Sequence, residues 1–317
     1  MLSYRHLFHA GNFADVFKHA LLARLLVALG GKGKPYCYLD THAGTGRYDL
    51  GHEWAWKTRE FENGIGRLWD RKDIPALLAP YMDAVRSENP KGRLRYYPGS
   101  PLIAVKLRRP GDRLVFSELN QVDRAELETV VGRERNTAVH LMDGYQALKA
   151  FLPPQERRGL VLLDSSFDRS GEFPRIARAL KQAHQRWPTG IYAAWYPLMA
   201  PGATRGFARD VAKTGIRRIL RLELLVREQD ADATIPGCGM LVINPPWKFD
   251  AEARALLDWL WQALAQDGAG GVKVDWLAPE SIEPPRETAR IIEPLSTADS
   301  TDRRNTLGKS FSRCFVV

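Results

Sequence analysis

The feature that most constrains the fold is a regular alternation along the chain. Short apolar runs rich in β-branched and aromatic residues alternate with longer stretches of helical character. This alternation is typical of a mainly parallel sheet with helices on both faces, so we predict an α/β fold. The seven predicted strands cover residues 35–40, 113–118, 137–141, 159–164, 190–196, 219–226 and 240–244.

The segments outside this sheet divide the chain further. Residues 14–29 carry apolar side chains at helical spacing and precede two glycines, which predicts an amphipathic helix ending at Gly30 and Gly31. Residues 51–95 are too long for a single crossover and are rich in aromatic side chains, which predicts a small helical insertion. Residues 281–317 show little apolar periodicity, so we expect one domain over residues 1–280 followed by a disordered tail.

The composition excludes several classes of protein. No apolar run approaches the roughly 20 residues of a membrane span, and the first residues lack the apolar core of a signal peptide. We therefore expect a cytoplasmic location and no membrane partner. The cysteines, Cys37, Cys238 and Cys314, are far apart, so neither a disulfide framework nor a zinc site is expected.

The chain is basic, with a formal net charge of +9 over 317 residues. Lysine and arginine bind phosphate groups independently of nucleotide sequence, so this charge favours a polyanionic partner. Many basic proteins bind no nucleic acid, however, and charge alone does not identify the partner.

The first predicted strand leads into a glycine-containing loop that begins at Asp40 and includes Gly44 and Gly46. Glycines directly after a strand allow a tight turn and a close approach of the backbone to a ligand. Loops of this kind serve a nicotinamide cofactor, S-adenosylmethionine or no ligand, so this motif alone does not decide among them.

Acidic residues follow the next two predicted strands. Glu118 ends the second strand, where its carboxylate could accept both hydroxyls of a ribose, and Asp143 and Gly144 follow the third. Each residue taken singly is more often a helix cap or a turn residue. Together they line one edge of the sheet, where folds of this kind bind nucleotides, and this placement favours a cofactor site.

The fourth predicted strand is followed by Asp164, Ser165, Ser166 and Phe167. Enzymes that methylate amines usually carry Asp or Asn here, then two prolines and an aromatic residue. An exocyclic amine is a poor nucleophile because its lone pair is delocalised. Hydrogen bonds to a carboxylate and to a backbone carbonyl favour an attacking geometry, while the aromatic ring stacks on the base. We therefore assign catalysis to Asp164, the Ser165 carbonyl and Phe167.

A second tetrad competes with this assignment. Asn244, Pro245, Pro246 and Trp247 match the usual signature better by residue type, but they follow the last predicted strand rather than the fourth. Position favours Asp164, and we interpret the later proline pair as a turn that ends a strand.

The N-terminal residues 4–12 concentrate aromatic, basic and imidazole groups. The spacing of His6, His9 and His19 matches no common metal site, so no metal is expected. Base stacking or closure over a cofactor is the favoured interpretation. Lys18, with His19 beside it, could face a cofactor carboxylate.

Several ungapped motifs in order resemble one bacterial family, the 23S ribosomal RNA adenine-N(6) methyltransferase J family. They are MLSYRHLFHAGNFADVFKH, YLDTHAGTGRYDL, RYYPGSPLIA, GIYAAWYP and VINPPWK, and the resemblance covers about residues 1–280. It implies a Rossmann-like methyltransferase domain with a small helical insertion, S-adenosyl-L-methionine as cofactor and 23S ribosomal RNA as partner. No obligate protein partner is inferred.

The resemblance also implies roles for individual residues. Asp164 would be the catalytic acceptor, and Tyr4 the aromatic residue on the substrate side, together with Phe167. The residues that would contact the cofactor are Lys18 or His19, His42, Ser100, Glu118, Asp143, Gly144 and Asp164.

This chain departs from the family at Ser165 and Ser166, where the family has two prolines. Serine keeps the backbone carbonyl but loses the fixed φ of proline, which puts the catalytic rate in doubt. Three alternatives stay open: a catalytically impaired RNA-binding protein, because of the two serines, a DNA adenine methyltransferase, because the signature tetrad also occurs in DNA methyltransferases, and, from the glycine loop alone, a nicotinamide oxidoreductase.

Overall fold

The structure is a computed structural model that describes residues 5–132, 135–168, 170–199, 201–228, 235–266 and 268–280. The predicted disordered tail, residues 281–317, lies outside the described residues, as do Tyr4 and Cys314. The boundary at residue 280 therefore stays a prediction.

Helices and strands alternate along the described chain. The helices are α1 Phe13–Gly30, α2 Glu53–Thr58, α3 Gly66–Trp69, α4 Ala79–Ser87, α5 Ser100–Leu107, α6 Gln121–Val131, α7 Gly144–Phe151, α8 Glu172–Arg186, α9 Pro201–Ala212 and α10 Phe249–Leu264, with short 3-10 helices at His6–Phe8 and Glu60–Asn63. The strands are β1 Cys37–Asp40, β2 Arg47–Asp49, β3 Tyr96–Pro98, β4 Arg113–Glu118, β5 Thr137–Leu141, β6 Gly159–Leu163, β7 Ile191–Pro197, β8 Ile219–Leu225, β9 Gly237–Ile243 and β10 Gly271–Ala278.

The central sheet has the order β10-β8-β9-β7-β6-β1-β4-β5. The five strands from β5 to β7 are parallel, whereas β9 runs antiparallel to both β7 and β8. The α/β fold class is confirmed, but the sheet has eight strands where the sequence predicts seven. The additional strand, β10, lies at the edge, antiparallel to β8, and its polar residues Lys273 and Asp275 alternate with apolar ones.

The order of the strands places a ligand crevice next to β1. The chain passes from β1 to β4 and β5 on one side, then returns to β6 and β7 on the other side. Open sheets bind ligands where the strand order reverses in this way, at the carboxyl ends of the strands. The residues that follow β1 and β6 therefore flank this crevice.

Helix α1 lies in the expected place, but it is not amphipathic. Most of its side chains are buried, on every side of the helix, and it packs against α4, α5 and α10 as well as the sheet. A helix that is apolar all round belongs in a protein interior. Asn12 caps its first turn by accepting a hydrogen bond from the Asp15 backbone N–H at 2.9 Å.

The long connection between β1 and β4 contains more than the predicted helices. Helices α2, α3 and α4 lie within residues 51–95. In addition, β2 and β3 form an antiparallel pair that the sequence does not predict. Both strands have only three residues, too few for alternation to stand out.

Two further observations bear on the composition. None of the helices within the described ranges combines the length and the apolar character that a bilayer span requires. Cys37 and Cys238 are both buried and free, and burial raises the pKa of each thiol.

We predict that Gly159→Ala destabilises the pairing of β1 and β6 at the amino ends of these strands. A Cβ at position 159 would lie 1.9 Å from the Cys37 carbonyl oxygen of the paired strand β1. The two strands must separate to admit it, so we expect the free energy of unfolding to fall by about 1–3 kcal/mol or more. Urea denaturation measures this change.

The matched control is Gly33→Ala, because a Cβ at Gly33 would have no atom within 4 Å. It should change stability by no more than about 0.5 kcal/mol. Equal effects of the two substitutions would contradict the close approach of β1 and β6.

Candidate active site

The glycine loop after β1 turns tightly against the end of β4. Gly44 and Gly46 adopt φ values of 61° and 79°, which favour glycine. The Gly44 backbone N–H donates to Glu118 Oε2 at 2.8 Å, and the Asn120 backbone N–H donates to Glu118 Oε1 at 2.8 Å. These contacts fix the Glu118 carboxylate at the rim of the crevice, where burial raises its pKa.

Asp40 is a fully buried carboxyl at the end of β1. It accepts a hydrogen bond from the Tyr38 hydroxyl at 2.8 Å. Burial raises the pKa of Asp40 to about 6, although hydrogen bonds from Ser100 and Tyr38 oppose the rise. Ser100, the first residue of α5, is thereby placed next to the β1 loop, which the sequence alone did not indicate.

The third acidic position is also well fixed. Asp143 caps α7, since its Oδ1 accepts from the Tyr145 backbone N–H at 2.9 Å, and its Oδ2 accepts from the Arg175 guanidinium at 3.0 Å. A Cβ at Gly144 would lie 2.2 Å from the Thr41 carbonyl oxygen, so only glycine permits this approach to the β1 loop.

His42 lies between these two loops. Its Nδ1 is 2.8 Å from the Thr41 hydroxyl, and its ring meets the Tyr145 ring edge to face at 5.6 Å. Burial lowers the pKa of His42, so the imidazole is neutral at pH 7. The loop after β1 and the start of α7 therefore form one continuous wall of the crevice.

Asp164, directly after β6, is held by a buried ion network. Lys18 Nζ donates to Asp164 Oδ2 at 2.6 Å and lies 2.8 Å from Asp15 Oδ1. Burial by itself would lower the pKa of Lys18, but the two carboxylates raise it well above its usual value. Similarly, burial would raise the pKa of Asp15, but His6 and Lys18 hold it well below its usual value. Both groups of the Lys18–Asp15 pair are therefore charged.

The sequence predicted that Lys18 and His19 could face a cofactor carboxylate. The structure instead directs Lys18 to Asp164, while the His19 ring is buried with Nδ1 2.8 Å from the Tyr97 hydroxyl. Burial lowers the pKa of His19 well below its usual value. Their predicted contact with the cofactor stays a prediction.

The residues after Asp164 form a loop that bends sharply. Phe167 has a φ of 54° and its ring contacts Phe173 at 5.0 Å and Trp195 at 5.8 Å. The Ser166 hydroxyl donates to Asp168 at 2.5 Å. The buried Ser165 hydroxyl has no hydrogen-bond partner within the described part of the chain.

The competing tetrad lies at the opposite ends of the strands from Asp164. Because β9 is antiparallel to β7, its last residues lie beside the beginning of β7. The Asn244 side-chain amide donates to the backbone carbonyls of Pro188 and Gly190 at 2.8 and 2.9 Å. Asn244 is thus a turn residue, remote from the end of β6.

The N-terminal histidines do not share a site. His6 Nε2 lies 2.9 Å from Asp15, and His9 Nδ1 lies 3.0 Å from Glu60. Tyr4, predicted to contact the substrate, is outside the described residues. Asp15 is part of the site although it was not predicted from the sequence. An acid three residues before Lys18 on one helix is nevertheless a recognisable ion-pair spacing.

The sequence of this chain is similar to those of known proteins of one family. The family model described as "Ribosomal RNA large subunit methyltransferase D, RlmJ" matches residues 33–278. The chain belongs to this family. It is 43% identical over 280 residues to ribosomal RNA large subunit methyltransferase J of Escherichia coli, and 42% identical over 281 residues to that of Haemophilus influenzae. Each match covers 88% of this chain and 100% of the relative.

A solved structure agrees with this membership. The crystal structure of a Legionella pneumophila protein matches this chain with a TM-score of 0.79 at 36% sequence identity. The match covers 84% of this chain and 98% of the Legionella chain. The resemblance found in the sequence motifs is therefore confirmed over most of the chain.

We predict a pH-dependent stability that originates at Asp40. Burial raises the pKa of Asp40 from its ordinary value of 3.8 to about 6 in the folded protein, so the folded state favours the protonated carboxyl. The resulting stabilisation of the folded state is complete below about pH 3.8 and is lost as pH rises through about 6. Relative to Asp40→Asn, the native protein should lose about 3 kcal/mol of unfolding free energy between about pH 4 and pH 7. Urea denaturation of both proteins across this range measures it. A difference that does not vary with pH would contradict the prediction.

Proposed function

We propose that this protein transfers a methyl group from S-adenosylmethionine to the exocyclic amino group of an adenine in 23S ribosomal RNA. The observation that carries the proposal is the placement of Asp164 at the carboxyl end of β6, beside the reversal of strand order. Its carboxylate is bound through Oδ2 by Lys18. Membership of a ribosomal RNA methyltransferase family supports the substrate class.

The residues of the crevice fit the proposed cofactor. S-adenosylmethionine supplies a methyl group activated by a positively charged sulfur. The Glu118 carboxylate, fixed by two backbone N–H groups, is suited to accept hydrogen bonds from ribose hydroxyls. Asp143 and Gly144 would border the adenine ring, since Gly144 lies against Thr41 and His42 of the β1 loop. Ser100, which hydrogen bonds Asp40 at the end of β1, would lie on the same side of the cofactor.

Asp164 orients the target amine in this mechanism. In the described residues, Lys18 is the one side chain that bonds the Asp164 carboxylate, and it does so at Oδ2. Oδ1 is therefore left to accept a hydrogen bond from the amine, while the Ser165 carbonyl accepts from its second N–H. Both bonds favour a pyramidal nitrogen with an available lone pair.

Phe167 provides the stacking surface for the base that has left its helix. Its ring is supported by edge contacts with Phe173 and Trp195, which hold it near the end of β6. Lys18 is also near this cluster, since its Nζ lies 6.0 Å from the centre of the Trp195 ring. The Lys18 ammonium group and the aromatic cluster of Phe167, Phe173 and Trp195 therefore lie close together.

The decisive experiment is methyl transfer from labelled cofactor to 23S RNA, followed by nucleoside analysis. We predict that Asp164→Ala lowers turnover by about 100-fold or more, because the substitution removes a hydrogen bond made in the transition state. The matched control, Asn244→Ala, removes two hydrogen bonds near the amino end of β7, far from Asp164 along the strands. It should lower stability by about 1–3 kcal/mol and leave turnover of the folded protein unchanged. The reverse pattern would transfer catalysis to Asn244.

We further predict that Ser165→Pro with Ser166→Pro increases kcat without tightening cofactor binding. Two prolines would restrict the loop and hold the carbonyl of residue 165 near the target amine, which is preorganisation for the transition state. Proline at position 165 also removes a buried hydroxyl that lacks a partner among the described residues. Single-turnover rates and cofactor titration separate the two effects. A lower rate would show that the native loop has a conformation closed to proline.

A further inference from the structure

The outer surface of α8 bears two grooves, one shared with α7 and one shared with α9. Their volumes are about 220 and 370 Å³, and Arg178 lines both. Lys181 and Lys213 line the groove towards α9, together with one carboxylate, Asp210. We call the surface formed by Arg178, Lys181 and Lys213 the basic flank.

The exposed face of α8 carries no acidic side chain. Its one acidic residue, Glu172, is buried and accepts a hydrogen bond from the Tyr145 hydroxyl. The exposed positions are Pro174, Arg178, Lys181, Gln182, Gln185 and Arg186. The helix therefore presents only positive and neutral groups to solvent.

The cations of the basic flank form no ion pair with the residues that the structure describes. Throughout the described ranges, no carboxylate lies within ion-pair distance of Arg178, Lys181 or Lys213. The neighbouring Arg175, in contrast, pairs with Asp143 at 3.0 Å. Arg178, Lys181 and Lys213 outnumber Asp210 in the groove towards α9, so its net charge is positive and attracts a polyanion.

The basic flank begins near the candidate active site. Helix α8 follows directly on the loop that starts at Asp164. In its first turn, Arg175 contacts Asp143, which borders the proposed cofactor space. A nucleic acid whose target base reaches Asp164 therefore passes close to the start of α8.

We infer that the basic flank binds the phosphate backbone of ribosomal RNA outside the target nucleotide. The inference rests on the proposed function, because it identifies how the same RNA docks. The contacts are to phosphate, so they increase affinity without selecting a base, while Asp164 and Phe167 act on the target adenine.

The experiment compares two triple variants with the same change in charge. The test variant is Arg178→Gln, Lys181→Gln and Lys213→Gln. The control is Lys32→Gln, Lys34→Gln and Lys72→Gln, three exposed cations located away from α8 and α9. Filter binding to 23S RNA across a salt series gives the affinity and its salt dependence, and methyl transfer gives kcat and KM.

For the test variant we expect the slope of log affinity against log salt to become shallower by about two to three, close to one for each phosphate that the protein no longer neutralises. KM for RNA should rise about tenfold or more at low salt, with kcat at saturating RNA and the cofactor Kd unchanged. The control should keep the slope of the native protein.

Two results would overturn the inference. One is a test variant with the native slope, and the other is an equal reduction of slope in both variants, which would assign the effect to net charge alone. Failure of the proposed function is distinguishable, since it appears as absence of methyl transfer by the native protein. The comparison of the salt-dependence slopes tests RNA binding by the basic flank whether or not the native protein transfers methyl groups.

Discussion

The candidate site depends on one buried cation. Lys18 is enclosed between Asp15 on its own helix and Asp164 at the end of β6, at 2.8 and 2.6 Å. A buried charge is stable only when it is paired and hydrogen bonded, so the position of α1 and the position of the β6 loop are linked through this ammonium group. Removal of either carboxylate would leave the lysine with a single counter-charge.

The burial of α1 is a condition for this network. A helix that carried Lys18 on a surface face would leave the ammonium group in water and unable to hold Asp164. The apolar residues on every side of α1 allow α4, α5, α10 and the sheet to pack around it. The helix is thus both a part of the core and, through Lys18, a support of the Asp164 carboxylate.

Much of this arrangement was predictable, because strand ends are marked by polar residues after apolar runs. Glu118, Asp143 and Asp164 were all located correctly at one edge of the sheet from that pattern. Residue type alone would have favoured Asn244, but the order of the strands favoured Asp164. The antiparallel direction of β9 places Asn244 at the amino end of β7. The partner of Lys18 was not predictable, because the pair joins residues 146 positions apart.

The edge strand and the short pair were missed for a different reason. β10 alternates polar and apolar residues and is stabilised by the ion pair between Arg221 and Asp275 at 2.6 Å, a contact between two strands. The alternation is a local signal of a strand, whereas the pairing of β10 with β8 joins distant residues and is not visible in the local pattern. The two Ser residues after Asp164 were evident in the sequence, but the unpartnered hydroxyl of Ser165 required the structure.

The all-round burial of α1 has a consequence for biosynthesis. Its covering elements include β9 and α10, which end more than two hundred residues later, and Arg24 bonds Glu252 at 2.7 Å. During synthesis, α1 therefore leaves the ribosome early, whereas β9 and α10, which pack against it, are made more than two hundred residues later. Contacts between residues so distant in the sequence slow folding and prolong the exposure of apolar surface to solvent. The helix that holds Asp164 through Lys18 therefore gains its full set of contacts only after α10 has been synthesised.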